Sequence, residues 1–352
     1  VNMNIVCETL GGLIIFIFGI KLMGDGLQKY AVEKMRKILA CLTTNPFIGV
    51  LTGASITALI QSSSATTVML VGFVNAGLMS LQQALGVILG ANIGTTITGQ
   101  LIAFKLTAIA LPIAAIGGAL YLFAKNPKLK NIGEALFGFG LLFHGLNIMG
   151  SNLKSLGKAE FVRQIFITFS NYPITAVIAG MLVTFIVQSS SVTIGLTITL
   201  ASNGLIPLNG ALALVLGENI GTCITALLAS IGTSKAARRT AIAHLLFNII
   251  GTSIAVTILT IHPDLILNPI KLSSVNIARQ VANAHTGFNV LLTLIFIWFT
   301  KPFAWIVTKL VPGKDAQKEN QPWYLEEHLL NTPYMATQST IKEITRMTKI
   351  TN

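Results

Sequence analysis

The stretch TALIQSSSATTVML, Thr57 to Leu70, sets Gln61 and three serines inside an apolar run, and TFIVQSSSVTIGLT, Thr184 to Thr197, does so again. At an offset of 127 residues (188 − 61), positions 61–98 and 188–225 align without a gap and are identical at 18 of 38 places. The identities are largely polar or small: Gln61 over Gln188, the serines, Thr66 over Thr193, and Asn92-Ile93-Gly94-Thr95 over Asn219-Ile220-Gly221-Thr222. Upstream, Pro46 falls on Pro173 and Gly53 on Gly180. A shared apolar bias would not keep polar side chains in register, so the chain is a duplication.

The rest of the composition says where the duplicated unit lives. Of 352 residues, 53% are hydrophobic and 10% charged, against about 25% charged in a soluble domain. Apolar runs recur at 10–18, 106–122, 241–261 and 290–299. The class is an all-α polytopic membrane protein, and a soluble fold is excluded. The net charge of +12 reads as cytoplasmic loops rather than nucleic-acid binding. Cys7, Cys41 and Cys223 have no metal spacing and an odd count, so no disulfide, no cofactor and no metal site is expected.

Each unit reads alike: an apolar helix (10–27; 132–149), a more polar basic segment (29–42; 153–169), a hairpin opened by proline, a helix interrupted at GANIGTT or GENIGTC (81–104; 208–231), and a closing helix (106–123; 238–261). The hairpin arms are 46–60 with 65–77 and 173–187 with 192–204. Fifteen helical residues rise only ~22 Å, short of the ~30 Å hydrocarbon core, so each hairpin is re-entrant with its tip near mid-membrane. The division is residues 8–124 for repeat 1, 131–262 for repeat 2, an additional helix at 279–311 and a tail at 312–352.

Three crossings separate the hairpins, so they enter from opposite faces, an inverted-topology repeat of the kind secondary transporters use. Seven crossings with the N-terminus outside place fourteen basic residues inside and five outside, which obeys the positive-inside rule and leaves the C-terminus cytoplasmic.

The quartets have a chemical reading. At a hairpin tip the second arm starts with free N–H groups and the positive end of a helix dipole, an anion site. Ser62, Ser63, Ser64, Ser189, Ser190 and Ser191 add hydroxyl donors without bulk, and Gln61 and Gln188 add amides. Two tips meeting at the centre would hold a tetrahedral oxyanion. Carbonyls freed at the helix interruptions, with oxygens of Gln61, Gln188, Thr66, Thr193, Asn92, Asn219, Thr95 and Thr222, suit sodium. Glu218 replaces Ala91 of the first repeat, and an intramembrane carboxylate is a candidate cation ligand. The repeated AHLLFN (243–248) and AHTGFN (284–289) set His and Asn on one helical face; His244 and His285 read as ties between helices.

QSSSATT with GANIGTT, and QSSSVT with GENIGT, resemble the paired signatures of the type II sodium/phosphate cotransporter family. FGIKLMGDGL, ARRTAIAHLLFN and ANAHTGFN resemble its bacterial branch, and the likeness runs from about Leu10 to Pro312. The resemblance implies sodium-driven symport of inorganic phosphate across a bacterial inner membrane, with Gln61–Ser64 and Gln188–Ser191 in the substrate and cation pathway. Residues 324–347 resemble the start of a PhoU-like helical domain. Expected partners are phosphate, sodium, the bilayer and, as one option, a second copy in a homodimer. Phosphate export, carriage of another oxyanion, or a phosphate-sensing scaffold are the alternatives; a serine hydrolase is disfavoured by the absence of a G-x-S-x-G elbow.

Overall fold

The computed structural model describes residues 3–40, 45–104, 106–156, 164, 168–169, 172–313, 324–325 and 332–351. Among these the chain is helical, with no strand. The first half comprises α1 (Met3–Ala40), α2 (Pro46–Ile60), α3 (Ser63–Asn75), α4 (Leu81–Ala103) and α5 (Thr107–Phe123). The second comprises α6 (Pro127–Leu156), α7 (Pro173–Val187), α8 (Ser190–Ser202), α9 (Leu208–Gly221), α10 (Ile224–Ala229) and α11 (Lys235–Ile261). Then come α12 (Pro263–Ser273), α13 (Ile277–Phe296), α14 (Thr300–Leu310) and α15 (Pro333–Thr351). Local chemistry sets several starts. Pro46 and Pro173 occupy first-turn positions where a missing N–H costs nothing, and Ser80 with Gln83 forms a capping box on α4.

Among the described residues, six helices are long and apolar enough to span a membrane: Met3–Tyr30, Leu81–Ala103, Pro127–Leu153, Leu208–Ala229, Lys235–Ile261 and Ile277–Leu310. The 17-residue α5 falls with the shorter apolar helices, as do the hairpin arms α2, α3, α7 and α8. The protein is an all-α polytopic membrane protein.

Contacts between helices give their directions. Gly12 of α1 abuts Met149 and Gly145 of α6, Gly19 abuts Leu142 and Gly138, and Gly26 abuts Ala135 and Asn131. The descending α6 numbers make α1 and α6, matching helices of the two units, antiparallel. A Cβ at Gly19 would sit 2.3 Å from the Leu142 nitrogen, so the glycines let two backbones touch. The α4/α9 pair gives the same result through three reversals. Thr293 and His285 of α13 meet α4 at Leu89 and Gly99. Phe296 and Leu292 of α13 meet α11 at Phe247 and Gly251. Thr252 and Asn248 of α11 meet α9 at Leu216 and just past its end at Cys223. Helix α4 therefore runs opposite to α9.

Several expectations need correction. The helix expected at 10–27 is one continuous α1 reaching Ala40, with no separate second segment at 29–40. The second hairpin arms begin at Ser63 and Ser190, two residues before the expected 65 and 192, because the serines join the first helical turn. Most of 157–171, and 41–44, lie outside the described residues. The interruption expected at GANIGTT is absent: α4 is unbroken through it. Its glycines serve close packing. A Cβ at Gly90 would lie 1.9 Å from the Val50 carbonyl oxygen of α2, and one at Gly94 2.6 Å from that of Ala54. Repeat 2 does the same with Gly217 against Val177. There the helix is interrupted at Thr222–Cys223, but both residues keep right-handed backbone angles. Their N–H groups still reach the Glu218 and Ile220 carbonyls, so the interruption is a tightened turn that leaves these groups bonded.

The tail helix α15 returns to the bundle. Met335 is buried in one core with Ile56, Ile60, Leu70, Phe73 and Val74 of the first hairpin. Lys342 Nζ donates to the Gly77 carbonyl oxygen at 3.0 Å, just past the end of α3. Residues 314–323 of the tail and 326–331 of the expected PhoU-like segment lie outside the described residues.

Candidate functional site

Each hairpin folds back over a glutamine. Gln61 (φ 58) and Gln188 (φ 54) are the non-glycine residues of positive φ among those described. Left-handed backbone costs an L-residue roughly 1–2 kcal/mol, a cost glycine would avoid, and at Gln61 the side chain is put to use. The Gln61 amide donates to the Ala58 carbonyl at 2.6 Å and its Oε1 accepts from Thr98 Oγ1 at 2.6 Å. Ser62 then caps α3, its Oγ accepting from Ala65 N at 3.1 Å. Ser189, in the matching position, makes no side-chain cap. Both second arms begin at the tips, so two helix N-termini with their partial positive charge arrive there.

Helix α4 brings the tips together. Thr95 Oγ1 donates to Ser63 Oγ at 3.1 Å and stands 3.5 Å from Ser190 Oγ. Nearly one turn on along α4, Ser191 Oγ donates to Thr98 Oγ1 at 3.3 Å, and Thr98 reaches Gln61. Ser63, Thr95, Thr98, Ser190 and Ser191 are all buried. The cluster is made of hydroxyls, an amide and helix N-termini, with no formal charge. Such groups can surround a small anion with hydrogen bonds and little steric demand.

The other expected residues fall in different places. Ser64 is half-buried, and its carbonyl accepts from Thr67 Oγ1 at 3.1 Å. Gln188 is exposed. Thr66 and Thr193 clasp their hairpins, accepting from Thr57 at 3.0 Å and Thr184 at 2.8 Å and back-bonding the Ser62 and Ser189 carbonyls. Asn92 joins α11 through His244 Nε2 at 3.2 Å and Asn248 at 3.3 Å, so His244 is the helix tie its sequence context implied. Asn219 and Thr222 bond carbonyls one turn back, at Val215 and Glu218. Glu218 is wholly buried, with no hydrogen-bond partner for either carboxylate oxygen.

Sequence reasoning missed Thr98. The signal was present, since Thr98 over Thr225 is the last identity of the repeat alignment. The structure is not symmetric there: Thr225 bonds the Thr222 carbonyl instead. Sequence reasoning also misjudged His285, whose ring nitrogens have no partner.

A cavity of about 520 Å³ opens between α6 and α8, lined by Asn147, Ser151, Thr199, Ser202 and Asn203 with Ile102 and Ile198. The Phe16 ring is fully buried against Gly195, where a Cβ would lie 2.2 Å from its Cζ.

A family profile described as Na+/Pi-cotransporter matches residues 15–151 and 144–299, so each half matches it separately. The uncharacterized protein YqeW of Bacillus subtilis is 32% identical over 302 residues, covering 86% of this chain and 97% of that protein. YjbB of Escherichia coli, whose name provisionally assigns it inorganic phosphate export, is 27% identical over 343 residues. That match covers 97% of this chain, which spans 62% of the E. coli protein. Human sodium-dependent phosphate transport protein 2B is 31% identical over 96 residues, 27% of this chain and 14% of its own length. No solved structure matches the chain.

Proposed function

The chain belongs to the Na+/Pi-cotransporter family, and from that premise we propose that it is a secondary active transporter carrying inorganic phosphate with sodium by alternating access. One observation carries the reading: Thr95 joins the two serine tips at one buried, uncharged point. Ser63, Ser190 and Ser191, with the N–H groups of α3 and α8 and the flanking Ser62, Ser64 and Ser189, hold the phosphate. Gln61 and Gln188 orient the tips. Ser63 is bonded to a threonine rather than a base, which fits a binding group and not a nucleophile.

Sodium is the co-substrate. Asn92, Thr95, Gln61 and the clasp hydroxyls of Thr66 and Thr193 offer neutral oxygens, and Asn219 and Thr222 flank them in repeat 2. The bare, buried carboxylate of Glu218 supports a charged cation site beside Asn219, since an unpaired buried charge is costly without a counter-ion. The antiparallel α1/α6 and α4/α9 pairs support an inverted repeat, in which rocking of one half against the other exposes the site to each face in turn. The basic-residue count supports a C-terminus in the cytoplasm, and the likeness to proteins of Bacillus subtilis and Escherichia coli supports a bacterial inner membrane. The name of the E. coli relative favours a second reading, export; direction follows the gradients.

The test is radiolabelled phosphate flux in proteoliposomes. An inward sodium gradient should drive uptake and a reversed one efflux, with potassium inactive. Flux that ignores sodium would reject sodium coupling, and no phosphate flux under any gradient would reject the carrier.

A further inference from the structure

The hydroxyl cluster has a neighbour that the phosphate reading leaves unused. Gly99 follows Thr95 by one turn on the same face of α4, about 5–6 Å along. A Cβ at Gly99 would meet Ile194 Cγ1 at 3.1 Å and His285 Nδ1 at 3.7 Å. Ile194 likewise follows Ser190 by one turn of α8. The His285 ring thus stands about one helical turn from the point where Thr95 meets Ser190. His285 is 1% exposed, and neither ring nitrogen has a hydrogen-bond partner. One turn along α13, Asn289 is 0% exposed. Its Nδ2 donates to the His285 carbonyl at 2.9 Å while its Oδ1 has no partner.

Leaving a buried polar atom unpaired costs roughly 1–3 kcal/mol, and three such atoms lie on adjacent turns of one helix. The contrast with His244 is internal to the chain. In the AHLLFN copy the imidazole Nε2 reaches Asn92, leaving Nδ1 alone unpaired, and the asparagine reaches Cys223. In the AHTGFN copy both ring nitrogens and the amide oxygen are buried without a hydrogen-bond partner. Buried polar groups without protein partners belong to a ligand or to ordered water.

We propose that His285 is a further phosphate-binding residue and sets the specificity of the site; the inference rests on the reading of the serine tips as the phosphate site. The tips supply mainly donors: hydroxyls and helix N–H groups. A neutral imidazole offers one N–H and one lone pair, and Asn289 Oδ1 is an acceptor. Acceptors among donors match an oxyanion that carries its own proton. Phosphate and arsenate have an X–OH group near neutral pH, and sulfate does not. A site with an acceptor built for that proton rejects the analogue lacking it.

The experiment measures equilibrium phosphate binding to purified protein at saturating sodium, with arsenate and sulfate as competitors. His285→Ala should weaken phosphate and arsenate by roughly ten- to a hundredfold, the effect of one hydrogen bond to a charged group, and leave sulfate competition where it was. His285→Gln, which keeps a donor and an acceptor, should recover part of the loss. On a cysteine-free background the H285C thiol should be shielded from a small methanethiosulfonate by phosphate and not by sulfate, a readout that survives if His285→Ala does not fold. Equal shifts for phosphate and sulfate, unchanged phosphate affinity, or no shielding would overturn the assignment. Ser63→Ala run in parallel separates the two claims: if it weakens phosphate and His285→Ala does not, only the histidine inference fails.

Discussion

Thr95 on α4 and Ser190 on α8 lie 95 residues apart in the chain and 3.5 Å apart in space, and the same Thr95 hydroxyl donates to Ser63 at 3.1 Å. One side chain therefore touches both halves of the duplication. A movement that separates the tips must break at least one of these contacts, so site geometry and the relative position of the halves are mechanically linked.

Thr95→Val keeps the shape and removes that link. Phosphate affinity should fall roughly tenfold, the worth of about 1–1.5 kcal/mol of hydrogen bonding, and Thr95→Ser should stay near the parent. Binding assays on both variants decide it. Parental affinity for Thr95→Val, or equal losses for the two, would show that the hydroxyl does not join the tips functionally.

The left-handed glutamines make a second expectation. Gln61→Gly relieves backbone strain worth ~1–2 kcal/mol but removes the amide that reaches Thr98. Its melting temperature in detergent should equal or exceed that of Gln61→Ala, with phosphate transport reduced in both. Parental transport by Gln61→Gly would mean that only the turn, and not the amide, matters.

What the sequence disclosed depended on whether a residue type has one structural meaning or several. Pro46 and Pro173 mark helix starts and little else, and both first arms begin there. The serine quartets, in register across the duplication, located both tips. Glycine is ambiguous. GANIGTT reads equally as a helix interruption or as a face on which another backbone rests, and only the neighbour chooses. Val50 and Ala54 of α2 supply that neighbour. His244 and His285 sit in near-identical fragments, yet one finds Asn92 and the other finds no protein partner, a difference made by tertiary placement. The docking of Met335 onto the first hairpin likewise depends on a contact across most of the chain.

Inverted topology is open to a labelling test. Asn45 and Tyr172 are exposed residues immediately before the first arms. On a background lacking Cys7, Cys41 and Cys223, N45C should label with an impermeant thiol reagent from the cytoplasmic face and Y172C from the opposite face. Labelling of both from one face would end the inverted-repeat account.

Lys29 and Glu134 tie α1 to α6 at 2.6 Å, with the lysine side chain 54% exposed and the glutamate 5%. Removing the exposed partner should do more harm, because it strands a buried carboxylate. Lys29→Ala should cost about 1–3 kcal/mol, less than a fully buried pair because the lysine is half in solvent, and Glu134→Gln should cost less. Thermal unfolding in detergent ranks the two, and the reverse order would contradict this reading of the pair.

The most direct test of the central claim, that the joined serine tips form one sodium-dependent phosphate site, is equilibrium binding of radiolabelled phosphate to the purified chain over a range of sodium concentrations. The parent should bind one phosphate per chain, more tightly as sodium rises. Ser63→Ala and Ser190→Ala should each weaken binding roughly ten- to a hundredfold without changing the number bound, since both hydroxyls serve a single ligand. Two phosphates per chain, with each variant abolishing one and sparing the other, would show separate sites and contradict the account, as would parental affinity in both variants.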